Sequence, residues 1–347
     1  MSAALRVVSP GLLTTLQDLG RPGYQRLGIP VSGALDRVGL HAANLIVGNA
    51  GDAAALEIAY QGPTLAVQAD SVRVAFVGGA SGIEVLDEAG QMLSRVPPLQ
   101  SVRLTRGQLL RVGALSGSPL GYLAVAGGFG VAPYLGSLST YLRAGLGGLC
   151  GRGLRTGDTL ALRQAVAEAR AEQRLPQLDV SPPPRIRVVL GPQDDYFSAQ
   201  GLSTFLSETY CVSRASDRMG MRLEGPVIEH AKGFNIVSDG TAPGSVQVPG
   251  NGLPIVLLAD RQTTGGYPKI GTVISADLPA LGRLAPGARL AFERVDVEGA
   301  ERAARVLAKH LADLAGRLVP VEAGERVDAG KLMALNLVSG VVDAEAG

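Results

Sequence analysis

The chain has 347 residues, 46% of them hydrophobic and 18% charged, which is enough apolar material for the cores of two domains. Its 32 basic and 31 acidic side chains leave a formal net charge of +1, and the basic residues form no cluster. A near-neutral chain with 4% aromatic residues lacks the electrostatic signature of nucleic-acid binding. We therefore expect neither nucleic acid nor an anionic membrane as a partner.

One stretch, residues 112–142, carries no formal charge and has the length of a membrane span. Pro119, Pro133 and many glycines interrupt it, which favours a buried strand followed by a glycine-rich loop. Cys150 and Cys211 are typical of free thiols in a reducing compartment. The first residues lack the apolar core of a signal peptide, so we expect a soluble, cytoplasmic protein.

The first half predicts one helix among many short strands. Ser32 is the predicted N-cap of a helix from about Ala34 to Val47, which ends at Gly48. His41 lies on the apolar face of this helix, and we expect it to pack half-buried there. Strands separated by Gly, Pro or Ser favour a β-barrel or sandwich. After a first strand at Leu5, candidates lie at 64–67, 72–77, 83–86, 102–104, 109–112, 122–125 and 159–162.

Composition divides the chain at a helix-prone, polar segment, 162–175, followed by the linker Ser-Pro-Pro-Pro at 181–184. The predicted domains are 1–175, 185–295 and a C-terminal helix and tail, 296–347. In the later part we expect helices at about 199–208 and 297–315. Strand candidates lie at 185–190, 210–212, 234–237, 245–248, 254–259, 270–274 and 288–292. The prediction is a mainly β fold of the α+β type, with two β-barrel domains of similar kind.

The most informative loop follows the predicted strand Ile255 to Ala259. This strand carries Asp260 and Arg261 to its end, where scaffolds tend to place binding residues. Arg261 offers a planar fork to a carboxylate or phosphate, and Asp260 is the nearby carboxylate. Backbone N–H groups at glycines can approach a ligand closely, so the loop resembles an oxyanion-binding site. Its remaining polar and glycine residues are Gln262, Thr263, Thr264, Gly265, Gly266 and Tyr267. The alternative is a Gly-Gly turn between two strands, with Asp260 and Arg261 as an ordinary ion pair.

Two further loops combine arginine with glycine and hydroxyl residues. One places Asp217 and Arg218 in the segment 213–222, and the other contains Arg143 in the segment 137–148. Each loop alone is more typical of a solvated turn with surface charges. Several such loops in one chain favour convergence on an anionic or amide-bearing ligand.

Other chemistries lack their sequence signals. Three scattered histidines do not form a metal cage, and no Gly-x-Ser-x-Gly nucleophile elbow is present. Gly330-Lys331 is followed by leucine, so the chain has no classical phosphate loop and no recognisable ATP site. Lys331 has no methionine directly beside it, so we expect no covalent biotin.

Ordered motifs extend through nearly the whole chain, from about residue 5 to 295. They are Gly-Leu-Leu-Thr-Thr-Leu-Gln-Asp-Leu-Gly-Arg-Pro-Gly-Tyr at 11–24, Ser-Gly-Ala-Leu-Asp at 32–36, Ala-Asn-Leu-Ile-Val-Gly-Asn at 43–49, Leu-Glu at 56–57, Gly-Pro at 62–63, Ala-Gly-Gly-Phe at 126–129, Ser-Thr-Tyr-Leu-Arg at 139–143, Ser-Asp-Arg-Met-Gly at 216–220 and Ala-Asp-Arg-Gln-Thr-Thr-Gly-Gly-Tyr-Pro at 259–268. With these motifs the sequence resembles the carboxyltransferase-like family of allophanate hydrolase subunit 2, and within it the group of 5-oxoprolinase C subunits.

The resemblance implies two tandem cyclophilin-like β-barrels and a heteromeric complex. With a cyclophilin-like B subunit and an A subunit, such a complex is a hydrolase that opens 5-oxo-L-proline to L-glutamate while consuming ATP, active only when assembled. A related domain transfers a carboxyl group from carboxybiotin to urea, so a biotin-dependent carboxyltransferase acting on urea or a related amide is an alternative. Other relatives bind a kinase inhibitor, so a non-catalytic regulator is a third possibility.

Our hypothesis for the site is that Arg261 and the Gly265 and Gly266 amides hold a carboxylate or a developing oxyanion. Asp260 or Asp217 orients the arginines or acts as base, and Tyr267 donates a hydrogen bond. Substrate-binding roles are expected for Gln262, Thr263, Thr264, Arg218 and Arg143. Under this hypothesis, Arg261→Ala lowers turnover by orders of magnitude, and near-normal activity would refute the assignment.

Overall fold

The structure is a computed structural model that describes residues 3–322. Within this range it confirms the mainly β fold class. The strands of the first half are β1 (Ala4–Ser9), β2 (Leu13–Gln17), β3 (Ala55–Ala59), β4 (Thr64–Val67), β5 (Ser71–Val77), β6 (Ile83–Leu86), β7 (Met92–Val96), β8 (Ser101–Thr105), β9 (Leu109–Arg111), β10 (Leu120–Val125), β11 (Thr159–Ala161) and β12 (Gln173–Arg174).

The later strands are β13 (Ile186–Leu190), β14 (Thr209–Val212), β15 (Gly220–Glu224), β16 (Asp239–Gly240), β17 (Ser245–Gln247), β18 (Ile255–Leu257), β19 (Thr264–Gly265), β20 (Lys269–Val273), β21 (Arg289–Arg294) and β22 (Val319–Pro320). The α-helices are α1 (Arg37–Val47), α2 (Ala199–Ser207), α3 (Leu278–Gly282) and α4 (Val297–Asp313). No helix within residues 3–322 combines the length and the apolar character that crossing a membrane requires.

The first unit consists of two sheets around a shared core. One sheet has the strand order β11-β1-β4-β9-β6-β7 and the other β2-β3-β10-β5-β8. In β1, Leu5 and Val7 point into the core while Arg6 is exposed, as the two-residue period of a strand requires. Every residue of β5 and β10 is buried, because α1 covers the face of their sheet that points away from the core.

The second unit is a closed barrel of seven strands in the order β13-β20-β17-β18-β15-β14-β21. Aromatic side chains fill part of its core, and the Phe205 and Phe292 rings lie 4.5 Å apart between centroids. Phe205 comes from α2, whose N-terminus is capped by the Ser198 hydroxyl accepting from the Gly201 N–H at 3.0 Å. The helix predicted at 199–208 is thereby confirmed.

Helix α1 begins later than predicted, at Arg37, because Asp36 and not Ser32 caps it. The Asp36 carboxylate accepts from the backbone N–H groups of Val38 at 3.0 Å and Gly39 at 3.1 Å. The helix ends at Gly48, which adopts a left-handed conformation (φ 86°) that glycine tolerates. This end agrees with the prediction.

Helix α4 confirms the predicted amphipathic helix and leads the chain back to the first unit. His41 on α1 is half-buried, and its Nε2 lies 3.1 Å from the carbonyl oxygen of Leu311, which confirms the expected packing role. Leu314 is fully buried in the cluster around α1. Beyond it, β22 pairs with β12. The tail predicted up to residue 347 and Lys331 lie outside the described residues, and the division at 175–185 and 295 stays a prediction.

Two segments differ from the sequence-based expectation. The helix-prone segment 162–175 wraps around the buried guanidinium of Arg73, which binds the carbonyls of Glu168 and Arg170 and the carboxylate of Glu172. The segment makes these contacts in an irregular conformation and does not form a helix. The strand predicted at 234–237 is also wrong, because this segment lies at the surface without a strand partner among residues 3–322, and Val237 is 93% exposed.

Candidate functional site

A cleft of about 580 Å³ separates the two units and is large enough for a small molecule. Leu13, Tyr60 and Pro119 line it from the first unit, and Val212 and Met221 from the second. Charged groups lie only at a few points of this mostly apolar wall. They are Arg143, Asp217, Arg218 and Asp260, four of the residues predicted for the site.

Arg218 connects the two units at the wall of this cleft. Its Nε donates to Asp260 Oδ2 at 2.9 Å and its Nη2 to Asp260 Oδ1 at 3.2 Å. Its Nη1 contacts Glu57 of the first unit, and its Nη2 donates to the carbonyl of Gly33 at 2.6 Å. Burial opposes the charge of Arg218, but Glu57 and Asp260 together raise its pKa above the ordinary value. Every nitrogen of this guanidinium is thus committed to protein partners.

Glu57 extends the network into the first unit. Its Oε2 accepts from the Tyr122 hydroxyl at 2.6 Å and from the backbone N–H of Leu35 at 2.9 Å. Burial and the neighbouring carboxylate of Glu57 raise the pKa of Tyr122 well above its ordinary value, so it remains a neutral donor. The Tyr122 hydroxyl also accepts from the backbone N–H of Asp36 at 2.8 Å. The start of α1 and the cleft are therefore parts of one hydrogen-bonded structure.

Asp217 and Arg143 are the exposed charges of the cleft. Asp217 Oδ1 accepts from the backbone N–H groups of Met219 at 2.8 Å and Gly220 at 3.1 Å, which fixes the turn before β15. Arg143 comes from the first unit, and its Nη1 lies 2.7 Å from the Met219 sulfur. Sulfur is a weak acceptor, so Arg143 retains donors for a ligand.

Arg261 points away from the cleft although Asp260 lines it. A turn closed by the Arg261 N–H and the Leu258 carbonyl (3.3 Å) directs the two consecutive side chains to different sides. Arg261 is 1% exposed and lines a smaller cavity of about 130 Å³. Burial lowers the pKa of Arg261 to about 10. The predicted alternative of an Asp260–Arg261 ion pair is wrong, since Asp260 pairs with Arg218.

The rest of the predicted loop follows the surface of the barrel. Thr264 and Gly265 form β19, which pairs with β16, and Gln262 donates to the Gln247 side chain at 2.9 Å. Tyr267 is 41% exposed. Thr263 and Gly266 are held through backbone bonds to Thr241 and Ile236, at 3.0 and 2.9 Å. Residues 262–267 line neither the cleft beside Asp260 nor the smaller cavity beside Arg261.

Sequence reasoning missed three residues as functional candidates: Glu57, which holds Arg218 at the wall of the cleft, and Ser32 and Arg37, which line the smaller cavity. Glu57 carries a signal, since a lone carboxylate in the apolar strand Ala-Leu-Glu-Ile-Ala needs a buried partner. The sequence indicates a helix cap at Ser32, and Arg37 has no signal beyond its place near the start of a helix. Only the fold shows that Ser32 and Arg37 line the same cavity as Arg261.

Comparison with known proteins shows the class of this fold. Residues 27–294 match the profile of the carboxyltransferase domain, subdomains A and B, and the chain belongs to this family. It is 37% identical to the 5-oxoprolinase C subunit of Escherichia coli, over 90% of this chain and 98% of that protein. It is 31% identical to urea amidolyase of Saccharomyces cerevisiae, over 85% of this chain but 17% of that protein. The crystal structure of Kluyveromyces lactis urea carboxylase superposes with a TM-score of 0.81 at 28% identity, covering 92% of this chain and 30% of that one.

Proposed function

We propose that this chain is the carboxyltransferase-like component of a multi-subunit, ATP-dependent 5-oxoprolinase, a hydrolase complex that converts 5-oxo-L-proline to L-glutamate. The observation that carries the proposal is the likeness to the 5-oxoprolinase C subunit, which extends over 98% of the Escherichia coli protein. The A and B subunits are the partners in this proposal, and activity requires the assembled complex. The ATP consumed binds elsewhere in the complex, in line with the lack of a phosphate loop in the sequence.

The cleft offers what 5-oxoproline needs, namely an apolar wall for the ring and charged groups for its carboxylate and amide. In this proposal Arg143 binds the carboxylate, because its guanidinium is exposed at the cleft and has no carboxylate partner within the described residues. Asp217 keeps one carboxylate oxygen for the amide N–H of the ring. Asp260 and Arg218 act as positioning residues, since their charges satisfy each other and Glu57.

A second candidate function follows from the structural comparison. The urea carboxylase of Kluyveromyces lactis shares the fold over 92% of this chain, which favours a biotin-dependent carboxyltransferase component acting on urea or a related amide. The same cleft would serve it, since urea also presents a carbonyl and N–H groups. The near full-length likeness to the 5-oxoprolinase C subunit favours the first function.

Reconstitution tests the proposal. The A and B subunits are assayed for ATP-dependent glutamate release from 5-oxoproline, with and without this chain. We expect release only when this chain is present. Full activity without it would refute the proposal and favour a regulatory role. Carboxylation of urea by this chain with a separate carboxybiotin carrier would favour the second function.

A further inference from the structure

The small cavity beside Arg261 lies between the two units and is separate from the cleft. Its walls come from the loop before α1, which includes Ser32, and from the second unit, which contributes Arg261 and Ser275. Leu35 and Leu258 line both cavities and form the wall between them. A volume of about 130 Å³ admits a group of several heavy atoms, since ~10–15 Å³ already admits one water.

Two arginines line this cavity, and neither has a counter-charge in the part of the chain that the structure describes. The Arg261 Nη2 is buried and has no hydrogen-bond partner within residues 3–322. The Nε and Nη1 of Arg261 reach the carbonyls of Thr241 and Leu258 only at 3.4 and 3.5 Å, which is long for a hydrogen bond. The Nε of Arg37 is likewise buried and unpartnered, while its Nη2 donates to the Ser275 carbonyl at 3.2 Å.

Among the described residues, the carboxylates near both arginines pair with other groups. The nearby carboxylate of Asp36 lies 2.8 Å from Arg283, and Asp260 is bound to Arg218. No ion pair within the described residues includes Arg37 or Arg261. Burial is the cause that lowers the pKa of each of them. Arg261 is a buried charge and Arg37 lies half-buried beside it. A buried charge is costly unless it is paired, so this cavity has a positive charge to neutralise.

Ser32 adds a hydroxyl to the same wall. Its backbone N–H donates to the Ala259 carbonyl at 3.1 Å, and its left-handed conformation (φ 56°) is unusual for a residue with a side chain. Its Oγ is buried and has no partner within the described residues. Two guanidinium groups and a hydroxyl around a small cavity match the acceptors of a compact anion.

We propose that this cavity is a binding site for a small oxyanion, a phosphate or carboxylate group held by Arg261, Arg37 and Ser32. The two guanidinium groups supply donors only, and the hydroxyl can donate or accept. This site does not depend on the enzyme activity proposed above, because it is inferred from unpaired arginine charges and not from a reaction.

Isothermal titration calorimetry of the full chain tests the proposal with two probes, inorganic phosphate and acetate, at an ionic strength held constant with chloride. We expect saturable binding of at least one probe, and the stronger one shows whether the site takes phosphoryl or carboxylate groups. Arg261→Gln and Arg37→Gln should each weaken binding by about 10-fold or more, and Ser32→Ala by a smaller factor. Arg305→Gln, which removes an equal charge from an exposed side chain of α4, should bind as the wild type does.

Two outcomes would overturn the proposal. One is the lack of saturable binding of either probe to the wild-type chain. The other is unchanged binding in both Arg261→Gln and Arg37→Gln. Arg261→Gln is expected to fold, because the change leaves no carboxylate unpaired, and thermal unfolding checks this. If that variant does not fold, Arg37→Gln and Ser32→Ala decide the question. Loss of 5-oxoprolinase activity with intact anion binding would affect only the proposed function.

Discussion

Arg218 and Glu57, which lie 161 residues apart in the chain, form a buried ion pair across the boundary between the two units. The side chain of Arg218 is 10% exposed and that of Glu57 4%. Asp260 binds the same guanidinium from the second unit. This contact helps to fix the relative position of the two halves, and thereby the shape of the cleft.

We expect Glu57→Gln to lower the free energy of unfolding by about 3 kcal/mol, because it leaves part of a buried charge uncompensated. Urea denaturation of the full chain measures this. Arg111→Gln is the control, since Arg111 pairs with Glu84 but is 45% exposed, and we expect at most about 1 kcal/mol there. An effect of Glu57→Gln no larger than that of the control would contradict the importance of the buried pair.

Arg143→Gln tests the substrate position in the cleft and rests on the proposed function. We expect KM for 5-oxoproline to rise about 10-fold or more in the reconstituted complex, with a smaller change in kcat. The reason is the loss of a charge-assisted contact to the substrate carboxylate. Arg305→Gln should leave both constants unchanged, because Arg305 lies on exposed α4. An unchanged KM in Arg143→Gln would remove this residue from the site.

Gly51→Ala should destabilise the chain through a steric clash with His41. An added Cβ would lie 1.9 Å from His41 Nδ1 and 2.1 Å from its Cε1. The ring would have to shift, which disturbs its contact with the Leu311 carbonyl, so we expect a loss of about 1–3 kcal/mol in the free energy of unfolding measured by urea denaturation. Gly113→Ala is the matched control, since no atom of residues 3–322 lies within 4 Å of its added Cβ. Equal stability of the two variants would show that the ring moves without cost.

His41 should also make stability depend on pH. Burial lowers the pKa of His41 in the folded state, although the Leu311 carbonyl and Asp52 act in the opposite direction. The unfolded chain then binds more protons than the folded one as the pH falls below about 6.5, so this contribution destabilises the fold in acid. When the pH falls from about 7.5 to about 5.5, we expect the free energy of unfolding to decrease less for His41→Gln than for the wild type. An equal decrease in the free energy of unfolding of both proteins, measured by urea denaturation, would contradict this.

Local signals in the sequence were sufficient for many elements but not for the convergence of side chains. Gly48 correctly marked the end of α1, because glycine tolerates a left-handed conformation there. The start of α1 is predicted too early, because Asp36 and Ser32 are both good N-caps. Only the hydrogen bonds of the Asp36 carboxylate show which residue caps the helix.

The site was predicted only in part for a similar reason. Asp260 and Arg218 do meet, as the clustering of loops suggested. Arg261 and Tyr267 do not join them, because a turn after β18 separates neighbours in sequence. The partner of Arg218 in the first unit, Glu57, depends on how two halves of the chain pack. No local pattern encodes that contact.

The wall formed by Leu35 and Leu258 gives the two cavities a mechanical connection. Leucine side chains change shape only by switching rotamers. A ligand that displaces either leucine therefore alters the volumes of both cavities. An occupant of the smaller cavity that displaced Leu35 or Leu258 would therefore change the volume of the larger one, without any contact between the two occupants.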